Sequence, residues 1–384
     1  MFARCKLGAR LAGLVVAGAI VLLALAPGSA AAKANPVEGN GMWIWYVTAA
    51  GGTADAIAAR AAKYHIDTVY IKSADGNDYW EQFSAPLVDQ LQAHGLEVCA
   101  WQFVYGASPV VEAQRGAAAV ANGADCLVID AESNYEGRYT SAERYIDELR
   151  TLVGPDYPVA LTSFPFVDYH PSFPYSVFLA PGAAQYNLPQ LYWHTIGTSV
   201  KSGYSHTFRF NRPYDAPIDP LGQTYDDPPK KDLIRFRQFA NEYGADGVSW
   251  WSWQHTSIPE WRKVSKPLTS GVPDFDAKIT YPLLKRGAAG DLVVLAQELL
   301  RAYEIAVDID GTFDAGMEGA VSEFQAEHEL VATGVIGGAT WSKLIEREPV
   351  KTSWTGPGRA GPSAPDSAAL AALEPELPLS PGVP

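Results

Sequence analysis

Short apolar runs alternate with helix-like stretches from residue 42 to about residue 267. The apolar runs are nearly continuous, which is typical of parallel strands that are buried on both faces. They predict eight strands, at 42–49, 67–74, 96–106, 125–133, 158–166, 187–194, 216–225 and 246–255. The stretches between several of them are Ala-rich or amphipathic and predict helices, at 53–65, 85–94, 110–121, 141–153 and 231–243.

This alternation predicts an α/β domain over residues 40–267. Eight strands followed by helices favour a closed (β/α)8 TIM-like barrel with the helices outside. The main alternative is an open doubly wound sheet, which usually carries a Gly-rich phosphate turn after its first strand. Here that turn reads Ala50-Gly51-Gly52-Thr53, which indicates only a tight turn.

The chain changes character after the predicted barrel. Residues 268–279 are rich in Pro, Gly and Ser and predict a linker, and residues 280–347 predict a small helical domain. Residues 348–384 are dominated by Pro, Ala, Gly and Ser, a composition that favours a disordered tail.

The first 32 residues predict a secretory signal peptide. A basic start is followed by an apolar run and by small residues suited to cleavage. An uncleaved membrane anchor is the alternative, but the run is shorter than the ~20 residues that a spanning helix needs. We therefore expect a secreted protein.

The charge of the chain limits its partners. The formal net charge is −14, and residues 1–32 contribute three basic and no acidic residues, so the remainder is near −17. Nucleic acid and an anionic membrane surface both need a basic footprint, so neither is expected. The chain has no H-E-x-x-H, no Cys/His zinc spacing and no G-x-S-x-G, so no metal, cofactor or serine mechanism is predicted.

Two cysteines, Cys99 and Cys126, remain after the predicted signal peptide. They fall early in two predicted strands that would be neighbours in the barrel. A disulfide is possible in an exported protein, but adjacent parallel strands rarely give good disulfide geometry. We therefore expect two buried thiols.

The clearest chemical signal is the stretch C-L-V-I-D-A-E-S at 126–133. Alternation along a strand puts Val128, Asp130 and Glu132 on one face. In a barrel this face points inward, and the two acids lie at the carboxyl end, where barrel enzymes carry their chemistry. Two nearby carboxyl groups suit glycosidic cleavage. We predict Glu132 as proton donor, with Asp130 orienting an N-acetyl group or a water molecule.

Other residues at predicted strand ends are candidates for contacting a sugar. They are polar or aromatic side chains that can hydrogen bond to hydroxyl groups or stack on a pyranose ring: Lys72, Gln102, Gln190, Tyr192, Trp251 and Trp253. The alternative is that the acid pair is structural, held by buried partners such as Lys72 or Arg138.

The motifs Y-I-K-S-A-D-G (70–76) and L-V-I-D-A-E-S (127–133) make the barrel similar to glycoside-hydrolase barrels. It most resembles the family-25 lysozymes, which keep their catalytic pair at the D-x-E. The resemblance implies a catalytic role for Asp130 and Glu132. That family also has an Asp on its first strand, whereas this chain reads G-M-W-I-W-Y-V-T-A there.

The small second domain resembles the three-helix peptidoglycan-binding domain of the type-1 family. The matching residues fall in the family's order and spacing: Gly287, Gly290, Val293, Gln297, Asp310-Gly311-x-Phe313, Ala320-Val321-x-x-Phe324-Gln325, Thr333-Gly334 and Thr340-Trp341. This resemblance implies peptidoglycan, or another wall polysaccharide, as partner, and therefore a secreted protein that is associated with the cell wall. The expected function is hydrolysis of an amino-sugar polymer. The alternative is a non-catalytic wall- or glycan-binding protein with a degenerate barrel.

Overall fold

The computed structural model describes residues 35–355 and 361–362. The predicted signal peptide lies outside the described residues, as does most of the predicted tail. Within the described ranges, helices are too short or too polar to cross a lipid bilayer.

A curled sheet of parallel strands forms the larger part of the molecule. Its strands are β1 (Gly39–Ile44), β2 (Thr68–Asp75), β3 (Asp78–Tyr79), β4 (Glu97–Val104), β5 (Cys126–Ala131), β6 (Val159–Thr162), β7 (Tyr186–Asn187), β8 (Leu221–Gln223) and β9 (Gly247–Trp251). The strand order is β7-β6-β5-β4-β2-β1-β9-β8, and β3 is a short antiparallel addition to β2. Single parallel bridges join Asn187 to Ile218 and Gln190 to Leu221, which connects the two ends of the sheet. The predicted TIM-like barrel is confirmed.

Helices cover the outside of this sheet. They are α1 (Ala54–Lys63), α2 (Ala85–Ala93), α3 (Pro109–Ala121), α4 (Tyr139–Val153), α5 (Tyr175–Phe178), α6 (Trp193–Ile196), α7 (Val200–Asn211), α8 (Lys230–Tyr243) and α9 (Ile258–Val264). Local sequence sets their ends. Thr53 caps α1 by accepting a hydrogen bond from the backbone N–H of Ala56, and Ser257 and Glu260 form a capping box on α9. Gly244 ends α8 at a φ of 77°, which favours glycine.

Alternate residues of each strand face two separate apolar clusters. Cys126 and Val128 of β5 join the inner cluster, which includes Trp43 and Trp101. Leu127 and Ile129 join the outer cluster, beneath the helices. The interior of the barrel is therefore largely aromatic, and the aliphatic residues mark the outer face.

Cys99 and Cys126 form a disulfide, so the prediction of two free thiols was wrong. The register of β4 and β5 places the two residues directly opposite each other. Their Cα atoms are 4.6 Å apart, within the range that a disulfide can span. Both side chains point into the barrel, where the bond is fully buried.

The C-terminal domain consists of α10 (Asp291–Ala302), α11 (Ala315–Glu327) and α12 (Gly338–Leu344). Two buried glutamines organise its turns. Gln297 accepts hydrogen bonds from the backbone N–H groups of Asp310 and Gly311, and Gln325 does the same for Thr333 and Gly334. These matched residues therefore build the scaffold of the domain.

The C-terminal domain docks on the barrel through Asp291. Its carboxylate has no exposure and accepts four hydrogen bonds, from the Tyr139 and Tyr214 hydroxyls and from the Ser176 hydroxyl and backbone N–H, at 2.7–2.9 Å. Burial raises the pKa of Asp291 to about 6, against the lowering effect of these donors. The apolar core of the domain is continuous with the outer layer of the barrel. The linker therefore does not leave the domain free to move as a flexible tether would.

The first residues of the predicted tail are ordered by the same face of the barrel. Trp354 is 2% exposed and packs on the Tyr139 ring at a centroid distance of 4.6 Å. Its backbone N–H donates to Glu143, and Lys351 pairs with Asp147. The prediction of a disordered tail was wrong for residues 348–355, because the Trp354 side chain is buried against α4.

We expect Asp291→Asn to lower the free energy of unfolding by about 2–4 kcal/mol. The amide replaces one acceptor oxygen with a donor that faces two other donors, and buried hydrogen bonds to a charged group contribute about 1.5–3 kcal/mol each. Urea unfolding of the chain without residues 1–32 measures the change. Asp308→Asn, at an exposed position of the same domain, is the matched control. Equal stability of the two variants would contradict the role given to Asp291.

Candidate functional site

The carboxyl ends of adjacent strands bring acidic groups to one mouth of the barrel. The register aligns Asp75 of β2 with Phe103 of β4, and Phe103 with Asp130 of β5. Asp130 lies on the inner face and is 5% exposed. Glu132 follows directly after β5 and is half-buried. Because the strands are parallel, these ends lie at one edge of the sheet.

A single amide group bridges the two predicted catalytic acids. Gln190 Nε2 donates hydrogen bonds to Asp130 Oδ1 at 3.0 Å and to Glu132 Oε1 at 3.1 Å. Gln190 is held in turn by its backbone N–H, which donates to Ser163 at the end of β6. One nitrogen therefore fixes the distance between the two carboxyl groups.

Both acids have raised pKa values. Burial is the main cause for Asp130, and the charges of Glu132 and Asp75 add to it, while Lys72 and the Gln190 hydrogen bond oppose it. Burial also raises the pKa of Glu132, against the Gln190 hydrogen bond and the charge of His170. Two close carboxyl groups resist double ionisation, so the pair favours a state that retains one proton.

Lys72 is enclosed by aromatic rings next to this pair. Its ammonium group lies 4.7 Å from the ring centres of Trp80 and Trp101 and 5.2 Å from that of Trp45. It also pairs with Asp75 Oδ2 at 2.5 Å. Both interactions stabilise a buried cation. The Lys72 ammonium group therefore stabilises negative charge on Asp75 and Asp130.

The wall of the mouth is aromatic. Trp251 is half-buried on the inner side and contacts Trp45 at 5.8 Å and Trp101 at 5.3 Å between ring centres. Tyr46 stacks between Trp45 and Trp80. On the opposite side Tyr192 meets Tyr225 edge to face. Such a surface suits the apolar faces of sugar rings.

Six of the predicted site residues are brought to this mouth: Asp130, Glu132, Lys72, Gln190, Tyr192 and Trp251. The other two are not. Gln102 faces the helices, where its amide donates to the Glu112 carbonyl and its oxygen accepts from Tyr145. Trp253 lies in the outer cluster against Trp261. Predicting Gln102 and Trp253 as substrate contacts was wrong.

The reasons are local. Trp101 points inward, so its neighbour Gln102 must point outward. The strand that carries Trp251 ends there, so the alternation does not extend to Trp253.

Sequence reasoning missed two residues of this region. His170 and Glu136 form a pair at 2.8 Å, and Glu136 lies in the loop that follows Glu132. They lie in loops after β6 and β5 rather than on strands, so no periodic pattern marks them. Asp75 also lies in this region and accepts a hydrogen bond from the Tyr105 hydroxyl at 2.7 Å. Its place at the end of a predicted strand, within the Y-I-K-S-A-D-G motif, was its signal in the sequence.

The arrangement brings together two carboxyl groups that can hold a shared proton and aromatic surfaces beside them. In the part of the chain that the structure describes, no group of three or more His, Cys, Asp or Glu side chains is placed to bind a metal ion. The chemistry that these side chains offer is proton transfer between oxygen atoms.

The C-terminal domain matches a known family. Residues 289–344 match the model described as "Putative peptidoglycan binding domain". This confirms the predicted resemblance of the second domain. Among curated proteins, the carboxy-terminal processing protease CtpA of Bacillus subtilis (strain 168) is 32% identical over 83 residues, which are 22% of this chain. The matched part spans 17% of the length of that protease.

Solved structures similar to most of the chain share little of its sequence. The spore cortex-lytic enzyme SleL of Bacillus cereus is 9% identical, over 59% of this chain and 73% of its own, with a TM-score of 0.46. Active domain 2 of a thermostable chitinase from Pyrococcus furiosus is 12% identical, over 61% and 94%, with a TM-score of 0.45. Likeness at this level carries no information about substrate or reaction.

We expect Asp130→Asn to raise the free energy of unfolding near neutral pH. The native state raises the pKa of Asp130 above its ordinary value of about 3.9, so the buried charge destabilises the fold at pH values above that range. The gain from the amide should be larger at about pH 8 than at about pH 4, because the penalty on the buried charge is lost as the pH falls toward the ordinary pKa of Asp130, and the group is protonated in both states only well below that value.

Urea unfolding at both pH values, with the exposed Asp89→Asn as control, measures this difference. A gain that does not depend on pH would contradict it.

Proposed function

We propose that this protein is a secreted glycoside hydrolase that acts on peptidoglycan or a related amino-sugar polymer. The observation that carries the proposal is the hydrogen-bonded group Asp130–Gln190–Glu132 at the aromatic mouth of the barrel. Two acids that share a proton in a dry site, next to stacking surfaces, suit glycosidic cleavage.

Glu132 is the proton donor in this proposal. It is the more exposed of the two acids and lies beyond the strand end, where a polymer can reach it. It gives its proton to the glycosidic oxygen as the bond from that oxygen to the anomeric carbon breaks. A water molecule then adds its hydroxyl group to the anomeric carbon, and its second proton returns to Glu132.

Asp130 has a different part because it is close to Glu132. Asp130 Oδ1 and Glu132 Oε1 lie 3.0 Å and 3.1 Å from one nitrogen, so these two oxygens are at most about 6 Å apart, which is less than the roughly 6.5–9.5 Å that inverting enzymes keep between their carboxyl groups. Asp130 therefore does not activate water across the ring from Glu132. Its position supports orienting an N-acetyl group of the substrate, so that this group assists departure of the leaving oxygen.

The second domain supports the choice of polymer. A match to a peptidoglycan-binding family favours a wall polysaccharide as partner, and it accords with the predicted signal peptide. Docked wall-binding and cleaving parts would raise the local concentration of substrate at the mouth. Muramidase activity of the family-25 type is the finer form of this proposal, and it rests on the two motifs at 70–76 and 127–133.

A second function is favoured by one observation. The inner positions of β1 and the residues after it carry Trp43 and Trp45 and no acid, whereas the family-25 lysozymes, which the barrel resembles, have an Asp on their first strand. A barrel that had lost this acid could still hold a glycan between its aromatic rings. The second candidate is therefore a wall- or glycan-binding protein without catalysis.

We expect Glu132→Gln to reduce the release of reducing ends from purified cell walls by about 10²–10⁴-fold, the usual contribution of a general acid. The glutamine has nearly the same shape and cannot donate a proton of comparable acidity. Binding to walls, measured by co-sedimentation, should not change. Glu148→Gln, in the outer layer on α4, is the matched control.

The same assay separates the two functions. Sedimentation of the unaltered protein without release of reducing ends would favour the binding protein. Release that persists in Glu132→Gln would refute Glu132 as proton donor. Chitin and other exported polysaccharides, tested in parallel, identify the polymer class.

A further inference from the structure

Strands β4 and β5 end side by side at the mouth of the barrel. The last residues of their shared register are Val104 and Ala131, so Tyr105 and Glu132 are the first residues beyond it. Neighbouring strands are about 4.8 Å apart, so the backbones of these two residues leave the sheet next to each other. The rings of Tyr105 and Phe103 are in contact at 4.8 Å between centres, as expected for side chains that share the inner face of β4.

The Tyr105 ring is exposed and yet held in place. Tyr105 is 40% exposed, and a single exposed aromatic side chain is by itself ordinary. Here the hydroxyl donates a hydrogen bond to Asp75 Oδ1 at 2.7 Å. One edge of the ring lies against Gly76, where a Cβ would come within 2.9 Å of Tyr105 Cδ2. The ring therefore offers exposed apolar surface at the mouth in a fixed orientation.

The acceptor of this hydrogen bond is also held in place. Asp75 Oδ2 pairs with the Lys72 ammonium group at 2.5 Å, and the rings of Trp80 and Trp101 enclose that group. The Asp75 side chain is 31% exposed, so its carboxylate can also accept a hydrogen bond from a ligand in the mouth. An apolar ring beside a hydrogen-bond acceptor matches a sugar, which has apolar faces and hydroxyl groups at its edge.

A buried carboxylate connects the loop after β4 to the loop after β5. Glu112 Oε2 accepts hydrogen bonds from the Gly106 N–H group at 3.0 Å and from the Tyr135 hydroxyl at 3.4 Å. Gly106 is the residue after Tyr105, and Tyr135 lies in the turn that follows Glu132. These bonds hold the exposed ring and the proposed proton donor at a fixed separation.

We propose that Tyr105 is the stacking surface for one of the two sugar rings that adjoin the cleaved bond, with Asp75 accepting a hydrogen bond from a hydroxyl group of that sugar. The inference rests on the proposed function and deepens it. The ligand is a pyranose unit of the polymer, which packs an apolar face on the tyrosine ring. Because the ring is already immobilised, little side-chain entropy is lost when the sugar binds.

The first test reads Tyr105 without requiring catalysis. The chain from residue 33 carries Glu132→Gln and 3-fluorotyrosine, and the further change Tyr105→Phe identifies the ¹⁹F resonance of Tyr105. Soluble glycan strands from purified cell walls, or chitotetraose as a second amino-sugar probe, should shift this resonance. The resonance of Tyr169, which is 50% exposed and packs on Phe166 of the outer cluster, should not move. A Tyr105 resonance that stays in place with both probes would overturn the proposal.

The second test uses the kinetics of reducing-end release from the same glycan strands. Tyr105→Ala should raise KM by about 2–12-fold, the contribution of one aromatic ring contact, and should leave kcat nearly unchanged because the contact is present before and during bond cleavage. Tyr105→Phe keeps the ring and should recover most of this loss. Tyr169→Ala is the control and should behave as the unaltered protein.

An equal rise of KM in Tyr105→Phe and Tyr105→Ala would refute the stacking surface, because the effect would then depend on the hydrogen bond to Asp75. Absence of reducing-end release by the unaltered protein would refute the hydrolase, whereas the ¹⁹F shift would still decide whether a sugar binds at Tyr105. Release of reducing ends without a shift of the Tyr105 resonance would refute the stacking surface and leave the role of Glu132 intact.

Discussion

The central constraint in this molecule is that two carboxyl groups, two residues apart, face the interior of one barrel. Removing a charge from water costs several kcal/mol unless it is paired or neutralised. The structure meets this cost with a shared amide from Gln190, a cation at Lys72 and retention of a proton. The aromatic lining serves the same need, because its rings stabilise that cation.

Most of the fold could be predicted because the apolar runs and their spacing follow directly from burial on both faces of a parallel sheet. The inward face of each strand was harder to assign. The inward-facing residues of a (β/α)8 barrel are usually aliphatic. In this barrel tryptophan and tyrosine side chains fill much of the interior, and the aliphatic side chains of the strands face the helices. Phe103 and Gln102 are equally plausible at a sugar site, and only the structure shows that Phe103 points inward.

Residues that act from loops left no pattern to recognise. His170 and Glu136 are separated by 34 residues and meet only because two loop segments hydrogen bond through Gly137 and Ser172. The same holds for Asp291, whose four donors come from three distant segments of the barrel. The composition of residues 268–279 indicated a flexible connection, and composition carries no information about contacts made elsewhere along the chain.

The docking of the C-terminal domain on the barrel has a geometric consequence for binding to an insoluble polymer. Whichever surface of that domain would bind the wall, the barrel mouth lies at a constant distance from that surface. The fixed distance between the two domains would then determine which bond reaches the mouth, whereas a flexible linker would let the barrel sample many bonds. If the protein cleaves a wall polymer as proposed, regularly spaced polymer chains would be cut at regular intervals from each point of attachment.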